Sequence, residues 1–177
     1  MGDEVGQFVA KCATPWKHKA MRVLMSERLT ASIGRQPSPS AVCLLHAKTV
    51  LETGRANGME GTSCWNHNVG NIRWTKGTKS NFTMLKGARE CKPDGSIYYP
   101  EDQRFRAFDT LSDGVDSLLS VLSKQANFKA AWAVLTSEFP TPEAYATAAR
   151  AGGYFTAPLW HYLPPLVSIY KEFMSHA

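Results

Sequence analysis

The sequence predicts an α+β fold, a mainly helical body with a small β lobe inserted into it. Three observations predict it: helical periodicity on both sides of the chain, a glycine-containing, β-favouring stretch between them, and a length of 177 residues that suits one domain. The segments run as N-terminal helices over 1–36, one helix over 37–54, the β lobe over 55–110 and C-terminal helices over 111–177.

In the first segment Val5, Phe8, Val9 and Cys12 form one helical stripe, and a second helix follows Pro15 to about Ile33. Ser38 is the expected N-cap of the next helix, with Pro39 at its first position. That helix runs through Leu44, Ala47, Lys48 and Leu51 and should stop at Gly54. The β lobe is read from Val69–Trp74, Asn81–Leu85, Ile97–Tyr99 and Phe105–Phe108, with Pro93-Asp94-Gly95 as a turn. Helical spacing returns with Val115, Leu118, Leu119 and Leu122, then with Phe128, Ala131, Trp132 and Leu135. Thr141-Pro142 opens a helix that ends at Gly152-Gly153. Pro165 is expected to begin the last one, with Leu166, Ile169, Tyr170 and Phe173 as its stripe.

Composition narrows the function. Hydrophobic residues make up 44% and charged residues 20%, which excludes a disordered chain. No apolar run approaches the roughly 20 residues that span a bilayer, so no membrane insertion is expected. The net charge of +5 favours an anionic partner, yet the basic residues are dispersed and no contiguous basic stripe predicts a nucleic-acid partner. Residues 1–7 lack the basic-then-apolar start of a signal peptide. Cys12, Cys43, Cys64 and Cys91 are too few for a disulfide scaffold, and free buried thiols are expected.

Glu52 is the leading chemical candidate. Breaking a glycosidic bond needs an acid for the departing oxygen and a group that stabilises or traps the oxocarbenium-like centre. A Glu in the last turn of a buried helix suits the acid, because burial and the negative helix end both disfavour its charge. On spacing alone, an exposed Glu52 paired with Lys48 four residues earlier is the better reading.

A wider pattern adds to this. Leu51-Glu52-Thr53-Gly54 is followed by Asn66-His67-Asn68-Val69-Gly70-Asn71-Ile72, then Phe105-Arg106-Ala107-Phe108-Asp109-Thr110, then Ala151-Gly152-Gly153-Tyr154-Phe155-Thr156. In this order the four segments resemble bacterial endo-β-N-acetylglucosaminidases of the flagellar-rod muralytic type, glycoside hydrolase family 73 of the lysozyme superfamily. The likeness spans about Ser40 to Tyr170. Each motif is short, and their order carries the specificity.

The resemblance implies a lysozyme-like fold and a hydrolase of the β-1,4 bonds between GlcNAc and MurNAc in peptidoglycan. Glu52 would be the general acid, and Tyr154 the active-site tyrosine that supports the acid or the substrate's N-acetyl group. The second carboxylate would come from a β-lobe hairpin: Glu90 matches best, with Asp94, Glu101, Asp102 and Glu60 as rivals. Asn68, Asn71, Trp65, Trp74 and Phe108 would bind sugars, unless the asparagines brace turns and Trp74 belongs to the β-lobe core. The chain departs from the family in its long loop after Gly54, in Phe108 where tyrosine is usual, and in the extra glycine before Tyr154. These departures leave open a muramidase or a lytic transglycosylase of the same fold.

No cofactor or metal is expected, although Cys43-x-x-His46 and Cys64-x-x-His67 repeat a ligand-like spacing. A Cys–His peptidase is disfavoured because residues 68–160 contain no His. A wall-binding module without chemistry is the non-enzymatic alternative. The expected partners are peptidoglycan glycan strands, reached as a monomer by phage lysis, a specialised secretion machine or a phage-like particle, with an immunity protein as a further partner to look for.

Overall fold

The computed structural model describes residues 6–53, 61–85, 90–100 and 103–176. Gly54, Glu60, Glu101 and Asp102 lie outside the described residues, so the expected helix stop and three rival carboxylates receive no structural account.

The body is built around α2 (Pro39–Thr53), in which every residue from Ala41 to Val50 is buried. A helix covered on all sides is a core element. It packs on α6 (Leu159–Met174) and α1 (His18–Ile33), while α3 (Leu111–Lys124), α4 (Lys129–Leu135) and α5 (Pro142–Ala151) complete the helical layer. The stripes follow the expected spacing: Val115, Leu118, Leu119 and Leu122 of α3 and Ala131 and Leu135 of α4 are buried in one core. The caps also form as expected. Ser38 Oγ accepts from the Ala41 amide at 3.3 Å, and Thr141 Oγ1 accepts from the Ala144 amide at 3.2 Å.

Two helical expectations fail. Residues 6–17 are extended rather than helical: β1 (Ala13–Lys17) pairs antiparallel with β2 (Gly61–Trp65), and Phe8 bridges to Phe82. The stripe of Phe8, Val9 and Cys12 is overridden by the period-2 pattern that follows, with Thr14 and Trp16 buried between exposed neighbours. The last helix begins at Leu159, not at Pro165, with Pro158 as its cap residue. Pro164 and Pro165 lie inside it and remove the amides that would bond to the Trp160 and His161 carbonyls. Burial of Tyr162, Leu166, Ile169 and Phe173 against the core offsets that loss.

The β lobe comprises three two-stranded antiparallel ladders among the described residues: β1–β2, β3 (Phe82–Leu85) with β6 (Gln103–Arg106), and β4 (Glu90–Cys91) with β5 (Ile97–Tyr98). The turn at 93–95 forms as expected, with Gly95 at φ 87° and its amide on the Lys92 carbonyl at 2.9 Å. Val69–Trp74 is a loop rather than a strand; it joins the ladder through the Arg73–Phe105 bridge and through Trp74, which packs on Phe82. Cys43 and Cys64 are free and buried, but Cys12 is exposed and Cys91 partly so. Cys12 escapes burial because its segment runs along the surface instead of coiling against the core.

Candidate active site

The last turn of α2 delivers Glu52 to a cleft of about 570 Å³ between the helical body and the β lobe. Leu51, Asn71, Arg73, Glu90, Tyr154 and Tyr162 line it with Glu52. This volume lies within the roughly 300–1,000 Å³ of ligand-binding pockets.

The Glu52 carboxyl is drawn into the helical wall. Desolvation raises its pKa above the ordinary value, and the negative charge of Glu90 adds a smaller push in the same direction. Lys48 and a hydrogen bond from Tyr162 act the other way; the Tyr162 hydroxyl donates to Glu52 Oε1 at 3.2 Å. Tyr162 is held in place by Phe155, whose ring stacks on it at 3.6 Å between centroids.

Lys48 is fully buried, which removes the reading of an exposed ion pair with Glu52. Its ammonium donates to the Tyr154 hydroxyl, and burial lowers its pKa to about 8 even though Glu52 pulls it upward. Tyr154 in turn donates to the Gly70 carbonyl at 3.1 Å. A phenol has one proton to give. With that proton on Gly70, Tyr154 braces the wall and has no donor left for an N-acetyl group. The neighbouring Tyr145 is fully buried, and its hydroxyl has no hydrogen-bond partner among the described residues.

The loop after β2 fixes the floor of the cleft. Asn66, His67 and Asn71 all have positive φ, at 48°, 57° and 49°, a conformation asparagine tolerates better than most residues. Asn66 is tied to Cys12 and Ala10, and the His67 amide donates to Thr14 Oγ1 at 3.2 Å. Gly114 of α3 sits against this loop so closely that a Cβ there would stand 1.9 Å from the His67 carbonyl oxygen. The loop ends with Asn71 Nδ2 donating to the Glu52 backbone carbonyl at 2.6 Å, which closes one orphan acceptor of the α2 terminus.

On the opposite wall, Glu90 starts the β4–β5 hairpin and accepts from Arg73 Nη2 at 2.5 Å. Asp94 takes no part in the cleft. It is exposed in the turn, where Ser96 donates to it from both amide and hydroxyl and holds its carboxyl below the ordinary range.

Four expected sugar-binding residues stand elsewhere. Asn68 is buried and gives its amide group to the Ile72 and Arg106 carbonyls, while its oxygen accepts from the Ile72 amide. Trp74 donates to the Ser80 carbonyl and packs on Phe82, so it is β-lobe core. Trp65 lies on β2 with Lys11 over its ring at 3.8 Å. Phe108 stands near Gly114 at the end of the lobe, its carbonyl 2.8 Å from His67 Nδ1. Only Asn71 of the five lines the cleft. The consecutive loop residues Gly70 to Arg73 line the cleft, whereas Asn68 is spent inside the loop, and no motif marked Tyr162 or Arg73.

The two Cys-x-x-His pairs go to different uses. His46 is buried, stacks on Phe173 at 4.2 Å and meets His18 at 3.1 Å. His67 faces the Phe108 carbonyl. Among the described residues no group of three or more His, Cys, Asp or Glu is gathered for a metal.

The helical body with its inserted small antiparallel sheets is the lysozyme-like fold found in glycoside hydrolases. Among solved structures, a peptidoglycan hydrolase mutant from Sphingomonas sp. A1 superposes with a TM-score of 0.65 at 18% identity, covering 90% of this chain and 97% of that one. The glycoside hydrolase domain of Salmonella typhimurium FlgJ superposes with a TM-score of 0.54 at 19% identity, covering 91% of each chain. At these identities the likeness speaks for the fold. No protein-family model and no curated protein matches the chain.

Proposed function

We propose that this protein is a peptidoglycan hydrolase that cleaves the β-1,4 bond between GlcNAc and MurNAc, with Glu52 as general acid and Glu90 as second carboxylate. The observation that carries the reading is the Glu52 carboxyl, held above its ordinary pKa in the wall of a sugar-sized cleft. The two neighbours, a peptidoglycan hydrolase and a glycoside hydrolase domain, support the substrate class.

The chemistry follows from which oxygens are engaged. Tyr162 occupies Glu52 Oε1 as a donor, so the acid's proton sits on Oε2 and passes from there to the departing glycosidic oxygen. Arg73 anchors Glu90 Oε1, which leaves Glu90 Oε2 to face the positive charge that develops at the anomeric carbon, or the water that attacks it. Tyr154 and Lys48 position the wall and do not touch substrate. On this reading the protein works as a monomer on glycan strands outside the cytoplasm, delivered by lysis, a specialised secretion machine or a phage-like particle.

Mass spectrometry of digested sacculi tests the proposal. Reducing GlcNAc ends are expected, and Glu52→Gln should cut their release by about 10²–10⁴-fold. Anhydro-muramic ends would mean a lytic transglycosylase, reducing MurNAc ends a muramidase, and wall binding without release of fragments a binding module.

A further inference from the structure

The cleft encloses a space suited to a drug-sized ligand, a few sugar rings at most, whereas a glycan strand is a polymer. A strand bound across Glu52 therefore has to leave over the rim, and the rim is built from two segments that meet. Thr156, between α5 and α6, donates its hydroxyl to the Cys91 carbonyl of the β4–β5 hairpin at 2.5 Å. At the hairpin turn, a Cβ on Gly95 would stand 3.1 Å from the Trp160 ring and 3.8 Å from Pro158. Gly95 thus serves twice, for its positive φ and for the space its missing side chain leaves to the indole.

Trp160 is the aromatic that crowns this junction. It is 69% exposed, although Leu159 before it and Tyr162 after it pack inward. It is not loose: Gly95 and Pro158 lie against it, and the His161 ring meets it edge-on at 5.8 Å. His161 itself lines the cleft, so the indole continues the cleft surface outward. The other four tryptophans are otherwise engaged: Trp16 is buried, Trp132 packs against the helical core, Trp74 is hydrogen-bonded in the β lobe and Trp65 carries Lys11 over its ring. A large exposed aromatic that is already immobilised loses little freedom on binding, and its apolar face matches the C–H face of a pyranose ring.

We propose that Trp160 forms a sugar-binding subsite outside the scissile pair, which takes a pyranose ring of the β-1,4-linked amino-sugar strand as it leaves the cleft. The proposal rests on the hydrolase reading for the identity of the strand. It makes the enzyme prefer long strands over short ones, because only a strand that overreaches the cleft can touch the indole.

Binding measured in the catalytically slowed Glu52→Gln protein separates the two claims. The probes are peptide-free glycan strands released from sacculi by an amidase and sized to a disaccharide and an octasaccharide. The octasaccharide should bind more tightly and quench tryptophan fluorescence. Adding Trp160→Ala should weaken it about tenfold, a loss of about 1.4 kcal/mol, and weaken the disaccharide less than twofold. Trp160→Phe, which keeps a stacking face, should restore most of the loss. Equal affinity for both lengths in the parent, an unchanged octasaccharide affinity in Trp160→Ala, or equal losses on both lengths would each overturn the subsite; the last would make Trp160 a brace for the hairpin. A Trp160-dependent dimer in sedimentation with unaltered strand binding would assign the patch to a second copy and also overturn it. Undiminished hydrolysis by Glu52→Gln would instead overturn the role of Glu52 and leave the subsite standing.

Discussion

The two walls of the cleft differ in what holds them. Glu52, Lys48, Tyr154 and Tyr162 belong to α2, the α5–α6 junction and α6; they bond to one another and, through Tyr154, to the Gly70 carbonyl of the loop after β2. Glu90 and Arg73 belong to a two-residue strand and a loop, and they hold each other with side chains 26% and 54% exposed. The first wall is fixed by burial, so its electrostatics are strong and its pKa values move. The second is held by a screened pair, which contributes little to stability and leaves Glu90 free to adjust to a substrate. On the proposed reading, the first wall would set the protonation of the acid and the second would follow the sugar.

The sharpest way to break this contrast is at the acid. Glu52→Gln should cost about 10²–10⁴-fold in hydrolysis of sacculi, the range of a lost general acid. Its melting temperature should stay or rise, since an uncharged group replaces a desolvated carboxyl that Tyr162 can still reach. A marked loss of stability would mean that the carboxylate is structural.

Next in size is Gly114→Ala. Its methyl would press on the His67 carbonyl, and His67 cannot retreat because its amide and ring are both tied. Overpacking should cost about 1–3 kcal/mol, of which the better helix propensity of alanine returns under about 1 kcal/mol. Thermal denaturation should show a drop of several degrees, and activity should fall with it because the same loop carries Asn71 to Glu52.

Lys48→Met sharpens the electrostatic side. The ammonium favours the charged form of Glu52, so its removal should raise the pKa of the acid further. A general acid must be protonated, so the alkaline limb of the kcat/KM profile should move to higher pH. Stability gives a second readout. Lys48 titrates at about 8 in the fold against 10.5 when free, so the unfolded chain binds more protons between those values and wild-type stability should rise with pH there. Near pH 10 the buried tyrosines, whose ionisation the fold resists, reverse the trend. Lys48→Met should lack the rise between pH 8 and 10 in melting temperature.

The smallest effect belongs to the outer wall. Arg73→Gln should change stability by less than about 1 kcal/mol, as exposed pairs do, yet lower kcat because Glu90 loses its anchor. Equal losses in stability at Arg73 and Gly114 would erase the difference between the walls.

The helical wall was legible in the sequence and the β wall only in part, for a physical reason. Helix α2 announces itself through Ser38, Pro39 and a run of apolar residues, all local signals, and Glu52 falls where its length dictates. Strand β1 pairs with β2 nearly fifty residues later, and no local signal records a partner that distant. The stripe of Phe8, Val9 and Cys12 therefore suggests a helix that tertiary pairing overrides. Asn68 and Asn71 are three residues apart with the same chemistry, yet one is spent inside the loop and one reaches the cleft. That outcome depends on the positive φ values of the loop, which residue identity permits but does not dictate. Lys48 had the right spacing to Glu52; what spacing could not show was that the intervening turn is buried.

The Glu52 carboxyl should stay protonated beyond the ordinary carboxylate range because the helical wall desolvates it. A titration followed by NMR of ¹³C-carboxyl-labelled glutamate, with Glu52→Gln to assign the signal, measures this directly. The expected midpoint lies above the 4.5 of a free glutamate. A midpoint at or below that value would show that the carboxyl is not desolvated.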